Sequence, residues 1–119
     1  MSDALARLEA TIAQRRTADP STSYVAKLNA RGIGKIAQKV GEEATETVIA
    51  ALSGDRQELV GEAADLVFHL MVLLGAKQVP LAEVLAELDR RLHNDDAAER
   101  AETIDNLRQI ALLRLAAAL

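Results

Sequence analysis

The sequence predicts an all-α protein, a helical bundle built on one antiparallel helix hairpin. Three observations carry this expectation. Half of the 119 residues are hydrophobic, yet there is one Phe, one Tyr and no Trp, so Ala and Leu supply the bulk and favour helix over strand. The two prolines, Pro20 and Pro80, sit where helices would start or end. Apolar residues recur at three- and four-residue spacing through most of the chain. The length suits a single domain over residues 1–119 with a modest core, which association would help to stabilise.

Composition also sets limits. There is no cysteine, which excludes disulfides and thiolate metal sites. MSDALARLEA has neither the basic start nor the apolar run of a signal peptide. The longest apolar stretch, Leu66 to Ala76, is interrupted by His69 and is shorter than the ~20 residues a membrane span needs. A net charge of −4 offers no basic face for nucleic acid. A soluble, cytoplasmic protein without a membrane or nucleic-acid partner is expected.

A first helix is expected from Asp3 to Thr17, capped by Ser2, with Leu5, Leu8 and Ile12 on one stripe and Arg15 and Arg16 at the negative end of its dipole. Asp19 and Pro20 close it. Ser21, Thr22 and Ser23 offer caps for a short helix through Tyr24, Val25 and Leu28, interrupted by Gly32 and Gly34. On the long third helix Ile33, Ile36, Ala37, Val40, Ala44, Val48 and Ala51 form an apolar stripe. Lys39, Glu43 and Glu46 fall on a flank roughly 80 to 160° from its centre at ~100° per residue.

Ser53 and Gly54 then break the chain, and Asp55, with Glu58 three residues on, caps a fourth helix. There Leu59, Ala63, Leu66, Val67, Leu70, Leu73 and Leu74 form the stripe, with Glu58, Glu62, Asp65 and His69 on a narrow polar strip beside it. A helix this apolar belongs at a bundle centre or a subunit interface, and a homodimer is expected. Val79-Pro80 starts a fifth helix ending near His93, with Leu81, Val84, Leu85 and Leu88 inward. Asn94 or Asp95 can cap a sixth, whose apolar end, QIALLRLAAAL, is expected to pack on the bundle or on a partner chain.

Folding the third and fourth helices back about Gly54 sets Glu46 level with Glu62, eight positions on either side. Glu43 then faces Asp65 at eleven positions, and Lys39 faces His69 at fifteen. Each acidic pair is spaced i, i+3, about 4.5 Å apart along its axis. Four carboxylates meeting at one height would raise one another's pKa unless a cation joins them. All-oxygen ligands point to Mg²⁺ first and Mn²⁺ next, and Mg²⁺ bound through carboxylates points to phosphate chemistry. Either pair alone would be read as a solvated helix face.

ExxE followed after fifteen residues by ExxD resembles the all-α nucleoside-triphosphate pyrophosphatases of MazG-like fold. Within that superfamily, ADPSTSYVAKLNARGIGKIAQKVGEEATETVIAA and EAADLVFHLMVLL are similar to the phosphoribosyl-ATP pyrophosphohydrolases of histidine biosynthesis. The resemblance implies hydrolysis of 1-(5-phosphoribosyl)-ATP to 1-(5-phosphoribosyl)-AMP and pyrophosphate. It implies that Glu43, Glu46, Glu62 and Asp65 hold Mg²⁺, with Glu42 as a supporting group or a base for water. It also implies a dimer.

Lys27, Arg31, Lys35 and Lys39 recur every fourth residue. Lys39, on the flank of the acids, is the first candidate for a phosphate, with Lys35 and Lys27 behind it. Ser23 and Tyr24 match the family's SY segment. Each either touches the nucleotide or serves the fold, Ser23 as a cap and Tyr24 by packing. His69 either supports Asp65 or the surroundings of Lys39, or is a hydrogen-bonded core residue. Past Arg91 the family continues with an aromatic and glycine-containing segment, whereas this chain reads LHNDDAAERAETIDNLRQIALLRLAAAL. Residues 90–119 are therefore a divergent helical segment. The alternatives are a MazG-like hydrolase of other (deoxy)nucleoside triphosphates and an inactive helical interaction module.

Overall fold

The structure is a computed structural model that describes residues 3–118, and the Ser2 cap expected for the first helix lies outside them. Five helices follow in order, with no strand among the described residues: α1 (Asp3–Arg15), α2 (Tyr24–Arg31), α3 (Ile33–Ser53), α4 (Arg56–Ala76) and α5 (Leu81–Ala117). The all-α expectation holds. The chain divides into two compact units, Met1–Leu81 and Ala82–Leu119.

In the first unit each boundary has a local cause. The Ser23 hydroxyl accepts from Ala26 N and caps α2. Gly32, at φ 97°, ends α2 and separates it from α3, a conformation that L side chains with a Cβ avoid. Gly34, expected to share in that break, lies inside α3. Gly54 is left-handed, and the Asp55 carboxylate accepts from Gln57 N and Glu58 N to start α4. Joined by those two residues, α3 and α4 share the largest helix–helix contact, while α1 touches α4 and α2, and α2 touches α3.

Two tertiary hydrogen bonds tie the α1 region to the end of α4 and to the first residue of α5. The Arg16 guanidinium donates to the Gly75 carbonyl at 2.6 Å, and Leu81 N donates to the Glu9 carboxylate at 2.7 Å. Gly75 packs closely on α1: a Cβ there would stand 3.3 Å from the Ile12 side chain, which would have to give by a few tenths of an ångström. The turn between them places Gln78 at φ 55°, a left-handed position that no glycine marks in the sequence.

The buried faces differ from the expected stripes. On α3 the buried line is Ile36, Glu43 and Ala50; on α4 it is His69, Met71 and Val72. Ile33, Val48 and Ala51 of the α3 stripe, and Val67 and Leu70 of the α4 stripe, are exposed. Two members of the strips read as polar flanks, Glu43 and His69, thus lie inside, while Glu46, Glu58 and Asp65 of those strips stay exposed. His69 finds two polar partners there and Glu43 finds Lys39 on one of its two oxygens, which lowers the cost of burying them. By length and composition α4 could cross a membrane, but its inward face carries Glu62, Asp65 and His69, arranged against α3 and α2.

The second unit corrects the expected break near His93, because α5 runs unbroken for 37 residues. Asn94 and Asp95 are able to cap, but neither Gly nor Pro occurs between Leu81 and Ala117, and a cap without a breaker does not stop a helix rich in Ala, Leu, Glu and Arg. Exposed pairs stiffen it, including Glu87 with Arg90 and Arg91. Within this unit Ile104, Leu107, Ile110, Leu112, Leu113 and Leu115 are all exposed.

Candidate metal and polyphosphate site

The acids sit where α3 and α4 face each other. Glu43 is 6% exposed, and Glu43, Glu62 and Asp65 each offer one carboxylate oxygen within 4.8 Å of the others. Glu46 is exposed and outside this trio, but its carboxylate lies beside that of Glu62. The pKa of Glu62 is raised above its ordinary value, first by burial, then by the Glu46 carboxylate, and then by the charges of Glu43 and Asp65. Glu43 thus gathers with both Glu62 and Asp65, and Glu46 adjoins Glu62 from outside the trio.

Two oxygens in this cluster, Glu43 Oε2 and Glu62 Oε2, are buried without a hydrogen-bond partner. An ionised oxygen in that position is costly unless something positive meets it. One cation of the chain is already near. Lys39 Nζ lies 3.0 Å from Glu42 Oε2 and 3.3 Å from Glu43 Oε1, and its pKa is raised chiefly by the Glu42 contact, with Glu43 adding to it and burial opposing. Glu42 is held below its ordinary value by hydrogen bonds from Gln38 and then Lys39. Lys39 serves Glu43 on one oxygen and leaves the other unmet. Donor type, spacing and the two orphaned oxygens fit a hard divalent cation.

The remaining candidates separate. Lys35 is half-buried and contributes to the lowered pKa of Glu42, whereas Lys27 is exposed on α2. Ser23 is spent on its cap. Tyr24 turns its hydroxyl to His69 Nε2 at 2.8 Å, and His69 Nδ1 lies 2.7 Å from the Asp65 main-chain oxygen. His69 therefore meets the backbone of Asp65, and its carboxylate is left to the cluster. The Tyr24–His69 contact spans 45 positions and no spacing rule points to it. A cavity of about 320 Å³ lies elsewhere, lined by Ile12, Met71, Leu74 and Val79. Of its polar lining residues Glu9 and Arg16 are engaged with Leu81 and Gly75 and Gln78 is uncharged, and it lacks the gathered carboxylates of the α3–α4 cluster.

Helices alone, with carboxylates gathered between two of them and lysines alongside, define an all-α protein with an acidic, cation-ready centre. Residues 5–92 match the family model described as phosphoribosyl-ATP pyrophosphohydrolase. Proteins called phosphoribosyl-ATP pyrophosphatase are similar to this chain in Novosphingobium aromaticivorans (77% identical over 97 residues, 82% of this chain and 91% of the relative) and in Rhizorhabdus wittichii (65% over 101 residues, 85% and 95%). A third, from Erythrobacter litoralis, is 65% identical over 101 residues, 85% of this chain and 97% of the relative. The chain belongs to the phosphoribosyl-ATP pyrophosphohydrolase family and is an enzyme, a hydrolase.

Proposed function

We propose that this enzyme hydrolyses 1-(5-phosphoribosyl)-ATP to 1-(5-phosphoribosyl)-AMP and pyrophosphate, the second step of histidine biosynthesis, with Glu43, Glu46, Glu62 and Asp65 holding Mg²⁺ or, in its place, Mn²⁺. The family and the names of the relatives support the substrate. The observation that carries the cation is the pair of buried, unpartnered oxygens on Glu43 and Glu62. When bound, a divalent ion supplies charge neutralisation and Lewis-acid polarisation of the phosphate oxygens.

The chain's own groups do the rest. Glu43 and Glu62, held by burial, fix the inner ligand oxygens, and Asp65 and Glu46 close the set from the exposed side. Lys39 stays protonated beside Glu42 and Glu43 and presents positive charge at the edge of the cluster, where a triphosphate would approach; Lys35 and Lys27 extend that charge outward. Glu42 keeps Lys39 in place. The apolar residues exposed on the helix pair, among them Val48, Ile49, Leu52 and Val60, are the reason for assigning a homodimer, and patches of this kind commonly mark interfaces. A cytoplasmic location follows from the substrate.

The deciding assay is pyrophosphate release with Mg²⁺ from phosphoribosyl-ATP and from a panel of deoxynucleoside triphosphates, each repeated with chelator. Release from phosphoribosyl-ATP alone, lost with chelator, is expected. Faster turnover of the panel would replace the substrate with a MazG-like house-cleaning range, and no turnover at all would leave a helical interaction module. A monomeric mass at micromolar concentration in sedimentation would overturn the dimer.

A further inference from the structure

Tyr24 opens α2 and His69 lies in the middle of α4, and neither belongs to the carboxylate cluster. His69 is 5% exposed. Its Nδ1 faces the Asp65 carbonyl at 2.7 Å, and a carbonyl only accepts, so Nδ1 carries the hydrogen. In the neutral ring Nε2 is then an acceptor, and the hydroxyl 2.8 Å away is that of Tyr24, which donates. The carbonyl fixes the direction of the first bond, and with a neutral ring it fixes that of the second.

The rings are held as well. Tyr24 stacks on Phe68 with centroids 6.1 Å apart and planes 21° from parallel, and meets His69 edge-on at 5.7 Å. Tyr24 is thus fixed at both ring and hydroxyl although 46% of it is exposed. Its only hydrogen is spent on His69, and the oxygen lone pairs left over would repel a phosphate. Tyr24 is also close enough to Lys39 for a charge on the phenol to influence it. Contacts therefore run from the Asp65 carbonyl through His69 and Tyr24 to the neighbourhood of Lys39, and from Lys39 to Glu43. Glu43 and Asp65 meet again in the cluster, so three helices close around the site.

We propose that Tyr24 and His69 act as one positioning pair, bracing α2 against α4 so that Lys39 and Asp65 stay in register with Glu43 and Glu62, and that the Tyr24 hydroxyl makes no bond to the substrate. The pair's purpose rests on the reading of the acids as a cation and polyphosphate site.

Tyr24→Phe removes the hydroxyl and keeps the ring on Phe68; His69→Leu removes both ring nitrogens; His69→Gln keeps an acceptor within reach of Tyr24. Partners behind a metal site commonly matter by about tenfold or more. Tyr24→Phe and His69→Leu should each lower kcat by about tenfold with KM within about twofold, and should weaken Mn²⁺ binding to the substrate-free enzyme. The double variant should be no worse than the worse single, because both remove one unit, and His69→Gln should lie closer to the parent than His69→Leu. A Tyr24→Phe enzyme with raised KM but unchanged kcat and Mn²⁺ affinity, or losses that multiply in the double variant, would overturn the pair and make Tyr24 a substrate contact. Nitrogen NMR gives a readout independent of turnover. The His69 Nε2 signal should be that of an unprotonated acceptor and should shift in Tyr24→Phe, and an unshifted signal refutes the bond. A parent chain that binds no Mn²⁺ overturns instead the reading of the acids, and with it what the pair is for.

Discussion

The helix pair α3–α4 and the outer part of α5 are both uninterrupted helix rich in Ala and Leu, yet they treat polar and apolar groups in opposite ways. The pair buries Glu43 and His69. In the outer part of α5, Ile104, Leu107, Ile110, Leu112, Leu113 and Leu115 are between 48 and 71% exposed. Helix propensity is met in both regions, so it decides neither outcome. What differs is the supply of partners: His69 has a carbonyl and a hydroxyl, and Glu43 has Lys39. Burial follows the completeness of contacts more closely than the hydrophobicity of any one residue.

The comparison breaks most visibly at the acids. Glu46→Gln and Asp65→Asn should each abolish pyrophosphate release while the far-ultraviolet helical signal stays as it is, and either variant retaining parental activity would sink the cation assignment. Next in size is packing. Ile36 is 0% exposed, and Ile36→Ala should cost about 2–5 kcal/mol in denaturant melts, whereas Leu113→Ala, at an exposed position, should stay within about 0.5 kcal/mol. Equal costs would erase the contrast between the two regions. Smaller again is the turn, where Asp55→Ala should lose about 1 kcal/mol with its cap.

The last effect is a matter of pH. The folded-state pKa of Glu62 is raised above its unfolded value near 4.5, so the folded chain holds that proton more tightly. The resulting stability is present below about 4.5 and is lost as pH rises through the folded value. With chelator present, the melting temperature should fall as pH rises above 4.5. Glu62→Gln, which cannot ionise, should flatten that decline and melt higher near neutrality. A steeper decline in the variant would contradict the crowding of charges at this site.

Local signals are legible in the sequence, and contacts between distant residues are not. Asp55 and Gly54 announce the turn because capping and left-handed backbone depend on residue type, and the i, i+3 acids follow from helix geometry once the turn is placed. The direction in which α3 and α4 turn their strips escapes a hydrophobicity pattern, because Glu43 goes inward on the strength of its partners. Tyr24 meeting His69, Glu9 receiving Leu81 N, and Gln78 in a left-handed turn depend on tertiary placement that no spacing encodes. The single α5 was missed for a different reason: Asn94 and Asp95 look like caps, and a residue able to cap does not by itself end a helix.

The unmet oxygens of Glu43 and Glu62 also make the folded state answer to its surroundings by mass action. A ligand that binds only the folded chain adds about 2.7 kcal/mol when present at about a hundred times its dissociation constant. With the cation proposed for this site, the share of molecules that are folded would rise and fall with free Mg²⁺. The carboxylates proposed to serve the reaction would then also couple the persistence of the enzyme to the supply of that ion.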